Sequence, residues 1–355
     1  MVAEIVKPLA PVFDVIIGGA LLPIEANSHI VSITVDESLD LPSMFTLELG
    51  ASDNLKDENA WVDDERLFSV GNIVEVKMGY DDDPATLIIG EITSLEPEFN
   101  CDSPPRLIVR GYDRLHRLQR GRKTRTFVQK KDSDIASQIA SEAGLNSQVI
   151  DSDVMHEYVI QANQSDFQFL QSRARRIRFE VAVEDKTLFF RPASNDAAEV
   201  LTMTMSDHLL EFYPRLSSAR QVSELDVRGW SLKDKKELLG QARTGDEISI
   251  MGGQESGPQL TERAFGAAVT AASEQPVATQ AEADQIAKAQ FNRSALALIE
   301  GEGVCLGRTD VRAGKVVKIE GIGNRFSGHY YVTAAVHRFD NDGYRIHFTV
   351  RRNAS

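Results

Sequence analysis

Near its C-terminal end the chain reads Ala313-Gly314-Lys315-Val316-Val317-Lys318-Ile319, then Arg325-Phe326-Ser327-Gly328-His329-Tyr330-Tyr331-Val332, then His337-Arg338-Phe339-Asp340-Asn341-Asp342-Gly343-Tyr344, and finally Arg345 to Arg352. These are alternating strands joined by tight turns. Asp342-Gly343 between two alternating segments is a strong short-range hairpin signal. A chain that ends this way ends inside a β-barrel or sandwich, and no cluster of catalytic type interrupts the pattern.

The front of the chain repeats it. Val31, Ile33 and Val35 face one way against Ser32 and Thr34; Phe45, Leu47 and Leu49 follow, then Val74, Val76 and Met78 against Glu75 and Lys77. Thr86 to Leu95 and Leu107 to Tyr112 complete five or six strands, with breaks at Gly71-Asn72, at Asp81-Asp82-Asp83-Pro84 and at Ser103-Pro104-Pro105. Period-2 runs at this density predict an antiparallel barrel or sandwich. The middle differs. Asp132 or Ser133 is placed to cap a helix carrying Ile135, Ala136 and Ile139 on one face, with Gly144 at its end. Ser165 and Gln168 form a capping box for a second helix, whose stripe is Phe167, Leu170, Ala174 and Ile177. A hairpin from Phe179 to Phe190 follows.

The expected organisation is mainly β with an α+β insert: a first β-barrel domain over 1–128, a small α/β module over 129–195, and a second, related β-barrel domain over 196–355. Within the last, a Gly-, Ser-, Ala- and Gln-rich stretch at about 240–281 reads as a long flexible loop, and about 282–298 as a helix. Val109-Arg110-Gly111-Tyr112 echoes Val227-Arg228-Gly229-Trp230, and Val70 to Val76 echoes Ala313 to Ile319.

Composition narrows the function. The 355 residues allow two or three full cores, and the 42% hydrophobic and 26% charged content is that of a globular protein. A net charge of -14 argues against general nucleic-acid binding and against adsorption to anionic membranes. No run approaches the roughly 20 apolar residues that span a bilayer. Val12 to Ile24, broken by Asp14 and Pro23 and preceded by Glu4 and one lysine, reads as a first strand rather than a signal peptide. Cys101 and Cys305 are isolated and read as two reduced thiols.

No metal, cofactor or catalytic constellation emerges. The seven histidines include no HExxH, and Asp63, Asp64 and Glu65, like Asp81 to Asp83, sit in loops without calcium-site spacing. The basic run Arg114, Arg117, Arg120, Arg122, Lys123 and Arg125 fits a contact to a partner subunit or neighbouring domain, or a solvated linker; it lacks the interleaved aromatics of a nucleic-acid site. Arg173, Arg175, Arg176 and Arg178 read as a solvated helix face or a similar contact. Trp230, Tyr330 and Tyr331 are either core or interface aromatics. Arg114, Arg117, Arg122, Arg125, Trp230, Tyr330 and Tyr331 are therefore the protein-interface candidates.

Four stretches in order carry a family resemblance: Asp134-Ile135-Ala136 through Gly144-Leu145; Ser165-Asp166-Phe167-Gln168-Phe169-Leu170 with the following hairpin; Val227-Arg228-Gly229-Trp230 with Lys233-Asp234-Lys235-Lys236; and Arg325 through Arg352. Over about 12–352 the chain resembles the phage late control D family, the hub portion of VgrG and the central hub of contractile tails. The last two stretches look most like hubs of extracellular contractile injection systems. The resemblance implies a homotrimer in which two similar barrels per subunit give pseudo-sixfold symmetry, a symmetry adapter joining a hexameric inner tube to a trimeric spike. Its implied partners are copies of itself, the inner tube protein, a separate spike protein (since this chain stops at Ser355), other baseplate proteins and effector cargo, with no nucleic acid and no direct membrane insertion. It also implies cytoplasmic assembly without a signal peptide, then a place in a phage tail or a released or membrane-anchored particle. The rival readings are a tail-tip cell-wall hydrolase and a peripheral receptor- or carbohydrate-binding tail protein.

Overall fold

The computed structural model describes residues 10–50, 61–80, 84–205, 207–272 and 276–355. Glu4 and the turn at Asp81 to Asp83 lie outside them. The first part of the chain runs through β1 (Pro11–Ile17), β2 (Ala20–Leu21), the single turn α1 (Ile24–Asn27), β3 (Ile30–Ser38), β4 (Met44–Gly50), β5 (Ile73–Tyr80), β6 (Ala85–Asn100) and β7 (Ser103–Asp113). A 3-10 helix (Arg114–Gln119) leads to β8 (Lys123–Lys131), α2 (Asp132–Glu142), β9 (Asn146–Val149), β10 (Met155–Gln164), α3 (Asp166–Arg176), β11 (Phe179–Glu184) and β12 (Thr187–Pro192). Then come β13 (Leu201–Thr204), β14 (Leu209–Leu216), β15 (Glu224–Ser231), β16 (Lys236–Arg243), α4 (Gly257–Phe265), β17 (Val269–Ala272), α5 (Gln280–Leu296), β18 (Ile299–Leu306), β19 (Val316–Glu320), β20 (Gly328–Asp340) and β21 (Gly343–Arg352).

The protein is mainly β, built on a large, almost wholly antiparallel sheet with a few helices. The terminal hairpin forms as the sequence requires: β20 and β21 pair through Phe339↔Tyr344 and Asp340↔Gly343, and Gly343 takes a φ of 96° at the turn. The two ends of the chain, however, share a single 13-stranded sheet. Its order is β14-β18-β21-β20-β3-β4-β7-β6-β5-β1-β2, with β13 and β19 as a side branch. No closing pair joins β14 to β2 among the described residues. The join is possible because β20 is 13 residues long. Its first half pairs with β19, from Gly328↔Ile319 to Tyr331↔Val316, and its second half with β3, from Ala334↔Ser38 to Phe339↔Ile33. One continuous core follows, in which Val15, Ile33, Phe45, Val76 and Val109 from the front lie with Ile299, Val317, Tyr330, Ile346 and Phe348 from the end.

The α/β segment has its own core. The predicted stripe of Phe167, Leu170, Ala174 and Ile177 packs with Ile135, Ala136, Ile139, Leu188 and Phe190. Ser165 Oγ accepts the Gln168 backbone N–H at 3.1 Å and Gln168 Oε1 accepts the Ser165 N–H at 3.2 Å, which closes the expected capping box. β11 and β12 form the hairpin, with β9 parallel to β12; β8 and β10 form a separate two-stranded ribbon.

Three expectations change. The stretch 240–281, read as a loop, contains the end of β16, helix α4, strand β17 and the start of α5. Low aromatic content hid a second capping box: Ser256 and Gln259 bond reciprocally at 3.4 and 3.0 Å, and Pro258 stands in the first turn. Second, Val227 to Trp230 lies in a three-stranded sheet, β16-β15-β17, on which α5 packs through Ala283, Ile286, Ala287 and Phe291. Its sequence echo, Val109 to Tyr112, lies on β7 of the large sheet. Third, α5 sits so close to β16 that a Cβ on Gly240 would fall 2.1 Å from the Ala283 carbonyl oxygen. Glycine is required there by a backbone approach rather than by flexibility.

Candidate assembly surfaces and the polar seam

The basic run folds inward. Asp113 at the end of β7 caps the 3-10 helix, its carboxylate accepting the Leu115 N–H at 2.9 Å and the Ser43 N–H at 2.9 Å. The helix then aims Arg114 and Arg117 at Glu91 of β6, which is 6% exposed. Arg114 Nε lies 3.3 Å from Glu91 Oε1, Arg117 Nε donates to Glu91 Oε2 at 2.9 Å, and Arg114 also pairs with Asp185 in the β11–β12 turn. Arg114 is thus a buried internal tie between the sheet and the α/β segment, not an outward contact. Arg125 is likewise spent internally, donating to Gln161 Oε1 at 2.8 Å and Asp166 Oδ1 at 2.8 Å above the Phe127 ring. Arg122 is exposed and donates to the Asn163 carbonyl at 3.0 Å.

The second arginine group is exposed only at Arg175; Arg173 is buried, and Arg176 and Arg178 are half-buried. Arg173 grips Asp132 with Nε and Nη2 at 2.6 and 3.1 Å, and both side chains are buried. His156 closes the group, its Nε2 3.3 Å from Asp132 Oδ2 and its Nδ1 3.6 Å from Glu282 Oε1. Arg176 donates to the same Glu282 oxygen at 2.8 Å. Burial works against ionisation of Asp132, but the His156 hydrogen bond and Arg173 hold its carboxyl below the usual range. This network locks α2, β10, α3 and α5 together. A third tie joins β3 to the 307–315 loop, where Arg312 Nε donates to both oxygens of buried Glu37 at 2.6 and 2.7 Å. Burial raises Asp113 to about 7 and depresses His337 to about 3, so His337 is neutral inside the sheet with its Nδ1 2.7 Å from the Tyr344 hydroxyl.

Tyr330 and Tyr331 are 0% and 1% exposed and lie inside the chain. Tyr330 donates to the Phe326 carbonyl at 2.6 Å beneath the Arg352 guanidinium, and Tyr331 donates to Glu180. Strand alternation points them to opposite faces of β20, and both faces are covered: Tyr330 joins the large core, and Tyr331 a separate cluster with Met251 and Val316. They are removed from the outward candidates. Trp230 remains outward, 56% exposed, beside Leu232 at 86%. The neighbouring ribbon adds Val128 and Tyr158, paired across β8 and β10, with Met155 and Ile160, all exposed. Lys233 reaches Glu157 at 3.5 Å and ties the β15–β16 tip to that ribbon. Buried His156, Val159 and Gln161 are interleaved with the outward residues, but Glu157 and Tyr158 both face out, and this break hides the apolar row from a period-2 reading of the sequence.

No group of three or more His, Cys, Asp or Glu is placed to hold a metal among the described residues. Cys101 and Cys305 are both free, Cys305 buried with its thiol pushed up to about 12. No described helix is long and apolar enough to cross a membrane.

The family model of the Alg8 N-terminal domain matches residues 10–341. The chain belongs to the Alg8 N-terminal domain family. No curated protein matches it in sequence. In the Alg8 N-terminal family, this chain's fold is that of solved phage-tail and secretion proteins. The 43 kDa tail protein of prophage MuSo2 from Shewanella oneidensis superposes with a TM-score of 0.69 at 13% identity, over 97% of this chain and 98% of that one. The tail protein from Neisseria meningitidis MC58 gives 0.69 at 14% identity, over 97% of each chain. An Escherichia coli component of the type VI secretion system, itself similar to the T4 tail proteins gp27 and gp5, gives 0.60 at 13% identity, over 96% of this chain and 77% of that one.

Proposed function

We propose that this chain is a structural tail or baseplate component, the trimeric central hub that joins a hexameric inner tube to a trimeric spike in a contractile injection system or phage tail. The observation that carries the proposal is near end-to-end agreement of fold with two tail proteins in both directions of coverage. The polar seam suits a part that transmits load. Arg114–Glu91, Arg173–Asp132, Arg176–Glu282 and Arg312–Glu37 each bind one structural block to another, so the subunit moves as a unit. In this role residues 1–128 and 196–355 meet the tube, and 129–195 braces them. The outward row of Val128, Tyr158, Ile160, Trp230 and Leu232 is the contact to a second copy or to a neighbouring baseplate protein. The protein works by symmetry matching, without covalent chemistry. Co-expression with its tube and spike proteins tests this: a stable complex holding three copies is expected, and recovery of free monomer alone would count against it.

A further inference from the structure

A concave site of about 440 Å³ opens where the large sheet, α3 and α5 meet. Four arginines line it: Arg175 and Arg178 from the end of α3, Arg293 from α5 and Arg351 from β21. Among the described residues two carboxylates, Asp40 and Glu180, share the lining. In a chain of net charge -14, four cations against two carboxylates in one hollow is a local reversal of sign. Two of the arginines are already partnered, Arg175 with Asp40 at 2.7 Å and Arg351 with Glu300 at 3.1 Å. Arg178 and Arg293 have no carboxylate within ion-pair distance among the described residues. Arg178 donates to the Asn195 side-chain oxygen, and Arg293 donates to the Arg175 carbonyl at the last turn of α3. Arg293 is exposed and Arg178 half-buried, so the rest of their five N–H donors each face solvent at the mouth of the hollow. Desolvation, then the nearby Arg175 charge, depresses Arg293; desolvation depresses Arg178. Asp196 and Glu180 offset the Arg178 desolvation only in part, since neither reaches ion-pair distance and burial pushes the Glu180 carboxyl up.

We infer that this hollow binds a small multivalent oxyanion, of phosphate or carboxylate type, held between Arg178 and Arg293. A bound anion supplies the missing counter-charge, and the guanidinium fork matches both oxyanion geometries. It also crosses the junction of α3 and α5, so occupancy stiffens the contact between the α/β segment and the sheet. This reading does not depend on the hub assignment.

The test is isothermal titration of the full chain with pyrophosphate and, separately, with citrate, at constant ionic strength, read beside the thermal midpoint. Saturable binding of either anion is expected, with a rise in midpoint. Affinity should fall at least tenfold in the Arg178→Gln/Arg293→Gln variant and stay unchanged in Arg215→Gln, an exposed arginine on the edge strand β14. The stronger of the two anions identifies the class. Where the double Gln variant does not fold, Arg178→Lys/Arg293→Lys replaces it; this keeps the charge but loses the fork, so a several-fold loss is expected. No saturable binding of either anion, or unchanged affinity in the double variant, overturns the inference.

Discussion

Replacing Arg173 with Met isolates the seam's energetic weight. Asp132 is 1% exposed, and Arg173 supplies two of the hydrogen bonds that keep its carboxylate charged. Met keeps most of the buried volume and removes the charge. What remains is a buried carboxylate facing His156 alone, and breaking a buried pair in this way costs about 3–5 kcal/mol. For a protein of ordinary stability, about 5–15 kcal/mol, that is a large share. At roughly 1–2 °C per kcal/mol for a chain of 355 residues, the midpoint should fall by roughly 3–10 °C. Urea denaturation and thermal melting of the purified chain measure it. Asp132→Leu combined with Arg173→Met should recover part of the loss, because no orphan charge is left. The pH dependence follows from the sign of the shift. The folded carboxyl titrates below its unfolded value, so its stabilisation is fully present above the ordinary carboxylate range near ~4 and is lost as pH falls through the folded value. A midpoint change under 1 °C for Arg173→Met, or no recovery in the double variant, would refute the view that this pair holds the helices together.

Three further outcomes are expected. Gly240→Ala should cost several kcal/mol and loosen α5 from β16, because the added Cβ meets the Ala283 carbonyl; hydrogen exchange of α5 amides reports it, and a neutral substitution would contradict the close approach. Asp113, raised to about 7, holds a proton in the folded state after the unfolded chain has released it; stability should therefore decline between about pH 4 and 7 and level off above, and Asp113→Asn should flatten this decline in urea titrations across that range. Tyr158→Ser with Trp230→Ser should leave the monomer's melting within about 1 kcal/mol, since both are exposed, while weakening assembly measured by light scattering; unchanged assembly would remove the apolar row from the contact.

How much of this was legible depended on whether the signal was local. The Asp342-Gly343 turn, the Ser165–Gln168 box and the Phe167–Ile177 stripe each lie within a dozen residues and are found in the structure as expected. The pairing of β20 with β3 joins residues about 300 positions apart, and nothing in either strand names its partner. The arginines misled for a related reason. Arg114 and Arg173 are polar residues at ordinary helical spacing, and only their distant partners Glu91 and Asp132 turn them inward. Helix α4 is a different case, because Ser256 and Gln259 stood in plain view and the small-residue composition around them outweighed the cap. Tyr330 and Tyr331, adjacent on one strand, should face opposite ways; both are buried because β20 is covered on both faces there, by Phe212 and Arg352 on one side and Glu180 on the other.

Electron cryo-microscopy of the assembled particle, refined with threefold symmetry around the tube–spike junction, is the decisive measurement. The hub proposal predicts three copies of this fold there, with the large sheets against the first tube ring and the Val128–Tyr158–Trp230 row covered by a neighbouring chain. Density for the fold at the particle's periphery, or a copy number other than three at the junction, would contradict it.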